Sequence, residues 1–419
     1  MMTTEETRDR VPVESLVKGL YVDLELSWNE HPFMFSRFKI KSDKDLRAIR
    51  KLGMTEITVI PERSDVGAVD ETPRETPADQ KMALDELWQN KNAHIEQANH
   101  FRDKRQRVAK RYKQQAQRVK NIIGEMKSQP ANAIHNVDEV VEDLASTFDG
   151  QPDLVTNLVN LGSGTHTACN HAINVTMLSL MLGNAEGLSK DELQHLGMGA
   201  LLHDMGKIEI SSSITMKKAP LSHAEEKVLE RHTLLGRKLA ECVRDLPEAT
   251  LEIIELHHEF LDGSGYPHGL PATKLSKLVR IVTVTNIYDS LCNPPDPGNA
   301  VTPKTAMAMM YSKYRDKLDR KLVERFIQTL GVYPPGTVVR LNDESIGLVI
   351  TADPGALLQP EVLLYNVDIP RDQALIVDLK DQDELSIVDV LRPGDYPERI
   401  YEYLGIQERL GYFIENQMG

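Results

Sequence analysis

Hydrophobic and polar positions change their spacing along the chain, and the changes separate segments of different structure. Between about residues 11 and 62, apolar and polar positions alternate in short runs, the period of half-buried strands. The runs predict strands near 11–13, 19–26, 33–40 and 56–60, with a helix near 44–52. With the Pro- and Asp-rich linker that follows, this segment is predicted to form a small α+β domain over residues 1–75.

A charged, proline-free stretch from about residue 80 to 127 is rich in strong helix formers. It predicts a long connecting helix within residues 76–135, and a break is predicted over 124–137, which contains Pro130. A solvated helix is the simplest interpretation. Pairing with a second copy of the chain, giving a homodimer, is the alternative.

From about residue 140 to 330, apolar positions recur at spacings of three and four, which indicates helices throughout. Ser189 with Glu192 three residues later has the pattern of a helix N-cap. An all-α domain is therefore predicted over residues 136–335. Strand-like runs near 338–341, 347–350 and 362–364, followed by a helix from about Tyr396 to Gln417, predict a small β-rich appendage over 336–419. The predicted fold class is multidomain.

Composition narrows the class of protein. The 419 residues are 41% hydrophobic and 27% charged, as in ordinary globular proteins. A net charge of −14 argues against a binder of duplex nucleic acid, which would neutralise many phosphates. Three scattered cysteines, a polar beginning and no apolar run of membrane-spanning length indicate a cytoplasmic protein with no membrane partner.

Histidines are concentrated where the helices are predicted. Nine of the thirteen lie between His166 and His268. One histidine on an apolar helix face is usually a core residue, but several helices each carry one here, including His203-Asp204 and His257-His258 pairs. Buried imidazoles and carboxylates are costly unless shared cations satisfy them. A ligand set of nitrogen and oxygen without thiolate suits Fe, Mn, Ni, Co or Zn. Four histidines without such neighbours are expected at the surface: His166, His195, His223 and His268.

A carboxylate such as Asp204 can bridge two ions, and Lys207, three residues later, can supply positive charge to a phosphate oxygen. His203-Asp204-x-Gly206-Lys207 and the long run from His257 through Gly265-Tyr266-Pro267 to Leu270 resemble the HD-GYP branch of the HD metal-dependent phosphohydrolases. The first segment resembles the small domain of unknown function that commonly precedes HD-GYP domains. The resemblance implies hydrolysis of the bacterial messenger cyclic di-GMP to pGpG and often on to GMP.

Carried over by position, the resemblance assigns roles to individual residues. The metal ligands it implies are His171, His203, Asp204, His232, His257 and His258. Lys207 matches the family's phosphate-contacting lysine and joins Asp204 as a catalytic residue. The loop Gly265, Tyr266 and Pro267 matches the family's substrate-binding loop, which also docks diguanylate-cyclase (GGDEF) domains.

Three departures from the family pattern bear on the metals. Thr167 stands where many members have a glutamate that helps to hold a third ion. Asn286 stands at a position where the family supplies an aspartate ligand, and Asn293-Pro294 replaces a basic stretch. Two divalent ions are therefore predicted, with Asn286 as a weak neutral ligand. The alternatives are a signalling adaptor with weakened catalysis and an HD hydrolase of nucleoside triphosphates.

Overall fold

The computed structural model describes residues 7–67, 77–126, 128–148 and 168–406, apart from 218, 244–245, 354, 383 and 393–394, together with residues 153, 156 and 159. The chain folds into two compact units. The first contains residues up to Arg102 and the segment Tyr365–Ile376, and the second contains Asp103–Leu364 and the chain from Val377 onwards. None of the helices described has both the length and the apolar character needed to cross a membrane.

The first unit is built on a four-stranded antiparallel sheet, as the alternating pattern predicted. Its strands are β1 (Asp9–Pro12), β2 (Tyr21–Asp23), β3 (Arg37–Lys39) and β4 (Glu56–Val59), in the order β1-β4-β2-β3. Helix α1 (Asp43–Lys51) begins where the Ser42 side chain accepts a hydrogen bond from the backbone N–H of Asp45. Its apolar face, with Ile49, joins Leu16 and Leu20 in the core of the sheet.

The predicted long helix is confirmed as α2 (Pro77–Glu125), and α3 (Pro130–Phe148) follows it. The predicted break is much shorter than 124–137, because the chain is helical again from Pro130. Within the second unit, α2 buries Val108, Val119 and Ile122, whose spacings of eleven and three residues place them on one helix face. That face is therefore covered by the same chain, and pairing of the helix with a second copy stays a prediction.

Helices make up most of the second unit, as predicted. After α2 and α3 come α4 (Ala168–Ala185), α5 (Lys190–Leu202), α6 (Ser212–Thr215), α7 (His223–Glu230), α8 (His232–Ala240), α9 (Glu248–Leu256), α10 (Lys277–Cys292), α11 (Pro303–Ser312) and α12 (Arg320–Leu330). Two glycines let neighbours approach α5 closely. A Cβ on Gly197 would lie 2.4 Å from Val141 of α3, and one on Gly199 would lie 2.6 Å from Ile253 of α9.

The C-terminal part is β-rich, as predicted, with two strands that the sequence pattern did not indicate. The sheet runs β8-β7-β6-β5-β9 through β5 (Val338–Leu341), β6 (Ile346–Thr351), β7 (Glu361–Leu364), β8 (Ile376–Asp378) and β9 (Ile387–Leu391). The final helix α13 (Glu398–Leu404) is shorter than predicted, because Gly405 adopts a left-handed conformation that ends it. Residues 407–417 of that predicted helix lie outside the described residues.

The segment predicted as the appendage, residues 336–419, contributes to both compact units. Residues Tyr365–Ile376, placed in the appendage by the sequence, belong to the first unit. Ile369 and Leu375 form a buried apolar cluster there with Trp28. The contact joins positions far apart in the chain, so local patterning could not indicate it.

Candidate metal centre

Helix ends position three of the histidines. His203 follows the last residue of α5, His232 opens α8 directly after α7, and His257 follows α9. The last carbonyl groups of a helix have no partner within that helix. Here the ring Nδ1 atoms donate to such carbonyls: His203 to Ala200 at 2.7 Å, His232 to Leu229 at 2.7 Å and His257 to Ile254 at 3.1 Å. The helix termini thus fix each ring.

A fourth ring is fixed by a carboxylate. His171, on the almost wholly buried α4, donates from Nδ1 to Asp289 Oδ2 of α10 at 2.6 Å. Carbonyl and carboxylate oxygens accept hydrogen bonds and cannot donate them, so all four Nδ1 atoms carry the proton. In a neutral ring the lone pair is then on Nε2, and Nε2 is the atom available to a metal.

The Nε2 atoms meet in two pairs. His171 and His203 are 3.2 Å apart at Nε2, and His232 and His257 are 3.3 Å apart. Two lone pairs at such a distance repel each other, and a cation shared between them removes the repulsion. The arrangement therefore favours a bound cation at each pair.

Asp204 lies between the two pairs and presents one oxygen to each. Oδ2 lies 3.6 Å from His203 Nε2 and 3.8 Å from His171 Nε2, whereas Oδ1 lies 3.3 Å from His232 Nε2 and 3.9 Å from His257 Nε2. Ligand atoms within 4.8 Å of one another form two groups, one of His171, His203 and Asp204 and the other of Asp204, His232, His257 and His258. The carboxylate common to both is placed as a bridge.

Electrostatics keep most of these groups in the form that binds metal. Burial lowers the pKa of His203 to about 4 despite the opposing charge of Asp204, and burial also holds the pKa values of His257 and His258 well below the ordinary range. Burial alone would raise the pKa of Asp204, but Lys207 and His203 hold it well below its usual value. For His171 the hydrogen bond and charge of Asp289 outweigh burial and raise the pKa.

The residues fit divalent ions. Asp204 Oδ1 is buried and accepts no hydrogen bond from any described residue, a costly state for a carboxylate oxygen. Neutral imidazoles and one ionised carboxylate without thiolate are the donors that Zn, Fe, Mn, Co and Ni accept. The cluster could therefore hold metal, as the sequence predicted.

A close backbone approach brings Asp204 to the second histidine pair. Asp204 precedes the 3-10 turn Met205–Glu209, in which Gly206 packs against α8. A Cβ on Gly206 would lie 1.9 Å from the carbonyl oxygen of His232 and 2.5 Å from the backbone nitrogen of Gly236. Only glycine fits between these backbones. Lys207, in the same turn, places Nζ 2.6 Å from Asp204 Oδ2 and keeps its side chain about a third exposed.

Glu259 organises the loop after the paired histidines. Its buried carboxylate accepts from the backbone N–H groups of His268, Gly269 and Leu270 at 2.7, 3.0 and 2.9 Å. Tyr266 folds back, so that its ring stacks on His258 with the centroids 4.6 Å apart and its N–H donates to the His258 carbonyl. The loop Gly265, Tyr266 and Pro267 is thus next to the cluster, and the Tyr266–Pro267 bond is cis.

Gly265 is held even more tightly, since a Cβ there would lie 2.5 Å from three backbone atoms. His268 is exposed, as expected, and its Nε2 lies 2.9 Å from Glu255. His166 and Thr167 lie outside the described residues.

Asn286 is buried on α10, one turn before Asp289. The Ser290 hydroxyl lies 3.5 Å from its Oδ1. Asp289, which the sequence pattern did not single out, contacts one of the clustered histidines, His171. Asp289 also accepts from Asn174 and from Asn293, one of the residues that replace the family's basic stretch.

Comparison with known proteins gives two domain matches. Residues 9–137 match a domain of unknown function (DUF3391), and residues 139–322 match the HD domain. The chain is 26% identical over 392 residues, 88% of each protein, to the cyclic di-GMP phosphodiesterase PA4108 of Pseudomonas aeruginosa. It is 34% identical over 143 residues to the cyclic di-GMP phosphodiesterase response regulator RpfG of Xanthomonas campestris, covering 34% of this chain and 38% of that protein.

Among solved structures, Bd1817, a HDG"Y"P protein from Bdellovibrio bacteriovorus, matches with a TM-score of 0.45 and 15% identity, over 76% of this chain and 98% of that one. The domain matches follow the predicted order, a small domain before an HD domain. The resemblance that the motifs carried is confirmed.

Proposed function

We propose that this HD-domain chain is a metal-dependent phosphodiesterase that hydrolyses cyclic di-GMP to linear pGpG. The observation that carries the proposal is the sharing of Asp204 between two sets of histidines, each with its Nε2 atoms turned inward. Relatives named as cyclic di-GMP phosphodiesterases support the choice of substrate, and the match to PA4108 extends over most of both chains.

The ligands we propose are His171, His203, Asp204, His232, His257, His258 and Asn286, holding two divalent transition-metal ions of Fe, Mn, Ni, Co or Zn. Such a pair of ions supplies activation of water and charge neutralisation for in-line attack on phosphorus. The chain's own task is to hold the donors rigid, and the helix-end hydrogen bonds from Nδ1 do so at three of the rings.

Lys207 gives the site a cationic group beside the bridge. Its ammonium is 2.6 Å from Asp204 Oδ2, and its partial exposure leaves it accessible to a ligand. The ammonium group would stabilise the negative charge that develops on the oxygens of a phosphodiester bound at the cluster. We therefore assign Lys207 to phosphate binding and Asp204 to the metals.

The loop Gly265, Tyr266 and Pro267 forms one wall in this proposal. Tyr266 lies over His258, and Glu259 fixes the loop from beneath, so its shape is set before any ligand arrives. The exposed outer residues Ser264 and His268 are the surface we propose for docking of GGDEF domains. Sedimentation of the chain with and without a purified GGDEF domain tests this part.

The activity test uses the full chain, stripped of metal and reloaded with one metal at a time. Cyclic di-GMP is added, and the products are separated by chromatography. We expect pGpG to form, and we expect the His203→Ala, Asp204→Ala double variant to form none while keeping its helical circular-dichroism spectrum. Protein that holds two metals and binds cyclic di-GMP without cleaving it would overturn the proposal.

A substrate panel of other cyclic dinucleotides and of nucleoside triphosphates belongs to the same experiment. Preferential cleavage of a nucleoside triphosphate would favour the alternative HD hydrolase. Cleavage of cyclic di-GMP at the highest kcat/KM of the panel would support the proposal.

A further inference from the structure

We propose that Tyr112, on the long helix α2, is a positioning residue for the first histidine pair. It acts on His171 through two intervening side chains, Asn174 and Asp289. The inference rests on the proposed function in so far as that function assigns metal to His171. It adds a contribution of the long helix to metal retention, which none of the sequence motifs indicates.

The four residues form one continuous chain of hydrogen bonds. Tyr112 Oη is 2.9 Å from Asn174 Oδ1, Asn174 Nδ2 is 2.9 Å from Asp289 Oδ1, and Asp289 Oδ2 is 2.6 Å from His171 Nδ1. His171 Nε2 then faces His203 Nε2 at 3.2 Å. All of these residues belong to the second unit.

Chemistry fixes the direction of every link. The Asp289 carboxylate, when ionised, can only accept, so Asn174 must turn its Nδ2 donor toward it. The amide oxygen of Asn174 then faces α2, and the hydroxyl of Tyr112 must donate to it. Because each orientation follows from the one before, removing the hydroxyl leaves the amide oxygen of Asn174 without this donor.

Because these side chains are buried, the loss of one of their hydrogen bonds is costly. Asn174 is 4% exposed and Asp289 is fully buried, so water has little access to replace a lost partner. Asp289 Oδ1 also accepts from Asn293 at 2.8 Å, which steadies that oxygen, whereas Oδ2 has His171 as its partner. Rotation of the Asn174 amide would therefore disturb the Asp289 carboxylate, which orients His171.

Some residues orient a metal-binding histidine from outside the ligand shell. Mutation of such a residue usually lowers metal affinity by about 10- to 100-fold. Asp289→Asn removes the negative charge beside His171 and turns a donor toward one of the groups that the carboxylate accepts from, so we expect a loss within that range. Tyr112→Phe removes one hydroxyl two links further away, so we expect about a tenfold loss, at the lower end of the same range.

The measurement is metal binding to the full chain in the absence of nucleotide. Co(II) is titrated into metal-free protein, with its visible absorption and the bound stoichiometry as readouts. In the wild type we expect two tight equivalents. In Tyr112→Phe we expect one equivalent to bind as before, at the pair His232 and His257, and the other to weaken.

Arg118→Gln is the matched control on the same helix. Arg118 pairs with Glu139, at 3.1 Å, and with Asp143 of α3, so its loss loosens α2 without touching the relay. We expect both equivalents to stay tight in this variant. Equal weakening in Arg118→Gln and Tyr112→Phe would mean that α2 acts only through general packing, and would overturn the proposal.

A double variant adds a second criterion. If Tyr112 acts through Asp289, Tyr112→Phe should change metal affinity little when Asp289→Asn is already present. Full additivity of the two losses would overturn the proposal.

The experiments distinguish refutation of the role of Tyr112 from refutation of the proposed function. Wild-type chain that binds two ions but leaves cyclic di-GMP intact refutes the activity alone. Chain that cleaves cyclic di-GMP while Tyr112→Phe binds both ions normally refutes the role of Tyr112 alone.

Discussion

Gly206 and His232 approach each other so closely that a Cβ on Gly206 would lie 1.9 Å from the His232 carbonyl oxygen. The contact joins the turn that follows Asp204 to the first residue of α8. Both partners are backbone, so no change of rotamer can make room for a methyl group. The same contact sets the 3.3 Å distance at which Asp204 meets His232 Nε2.

Gly206→Ala should therefore destabilise the second unit and weaken metal binding together. Overpacking usually costs about 1–3 kcal/mol, and a clash between backbones belongs at the upper end. Thermal unfolding followed by circular dichroism, with bound metal assayed in parallel, measures both effects. Gly124→Ala is the control, because nothing lies within 4 Å of a Cβ there, and an alanine in α2 should stabilise by about 0.5–1 kcal/mol. An unchanged melting temperature for Gly206→Ala would contradict the packing described.

Glu259→Gln should loosen the loop that carries Tyr266. The buried carboxylate accepts three backbone N–H groups, and an amide would turn a donor toward one of them. The mismatch should cost about 1–3 kcal/mol of unfolding free energy, measured in urea, and should speed proteolysis within the loop. Asp262→Asn is the control: Asp262 is exposed and its carboxylate accepts from the backbone N–H of the neighbouring Ser264, so its effect should stay within about 0.5 kcal/mol. A loop equally resistant to protease in both variants would count against this role of Glu259.

The first unit should lose stability as the pH falls from 6.5 to 4. Burial, with the charge of Lys91 beside it, lowers the pKa of His31 to about 4 in the folded chain. The unfolded chain therefore binds more protons over this window, so unfolding becomes easier as pH falls. At about 1.4 kcal/mol per pH unit, the loss reaches up to about 3 kcal/mol.

Tryptophan fluorescence can follow this unit selectively. The chain has two tryptophans, Trp28 and Trp88, and both belong to the first unit. We expect the urea midpoint of the wild type to fall with pH more steeply than that of His31→Gln, which cannot take up the proton. Parallel pH profiles for the two proteins would contradict the prediction.

Local chemistry made much of this molecule predictable. Alternation placed the four strands of the first sheet, since a half-buried strand imposes its period on the sequence. The ligand histidines could be selected because imidazoles on apolar helices need partners. Their grouping into two pairs could not, because the pairs His171–His203 and His232–His257 join positions distant in the chain.

Two features could not be predicted from the sequence, and the physical reason is the same for both. Tyr112 reaches Asn174 across 62 positions, and Ile369 reaches Trp28 in the first unit from near the other end of the chain. Neither residue has a local pattern that differs from that of an ordinary helix or loop position. Asp289 lies three residues after Asn286, the position to which the family resemblance pointed, and only the packing of α4 on α10 shows that its carboxylate meets His171.

Asn286→Asp tests the remaining proposed ligand. If Asn286 contributes an oxygen to a metal, a charged donor in its place should tighten binding, because divalent ions favour carboxylate over amide oxygen. Metal content after dialysis against a graded chelator measures the change. Ser290→Ala, which removes the hydroxyl 3.5 Å from Asn286 Oδ1, controls for disturbance of the neighbouring side chain. Equal metal content in Asn286→Asp and the wild type would place residue 286 outside the ligand set.

Lys207→Met should separate phosphate binding from metal binding. Methionine keeps much of the aliphatic length and packing but removes the ammonium group that lies 2.6 Å from Asp204 Oδ2. If Lys207 stabilises charge developing on the phosphate, kcat for cyclic di-GMP should fall by about 10²–10³-fold. Bound metal should stay near the wild-type level, because no histidine contact is lost, whereas Asp204→Asn should lower metal content and kcat together. A Lys207→Met protein that keeps full kcat would show that the lysine serves Asp204 alone and leaves the phosphate to other groups.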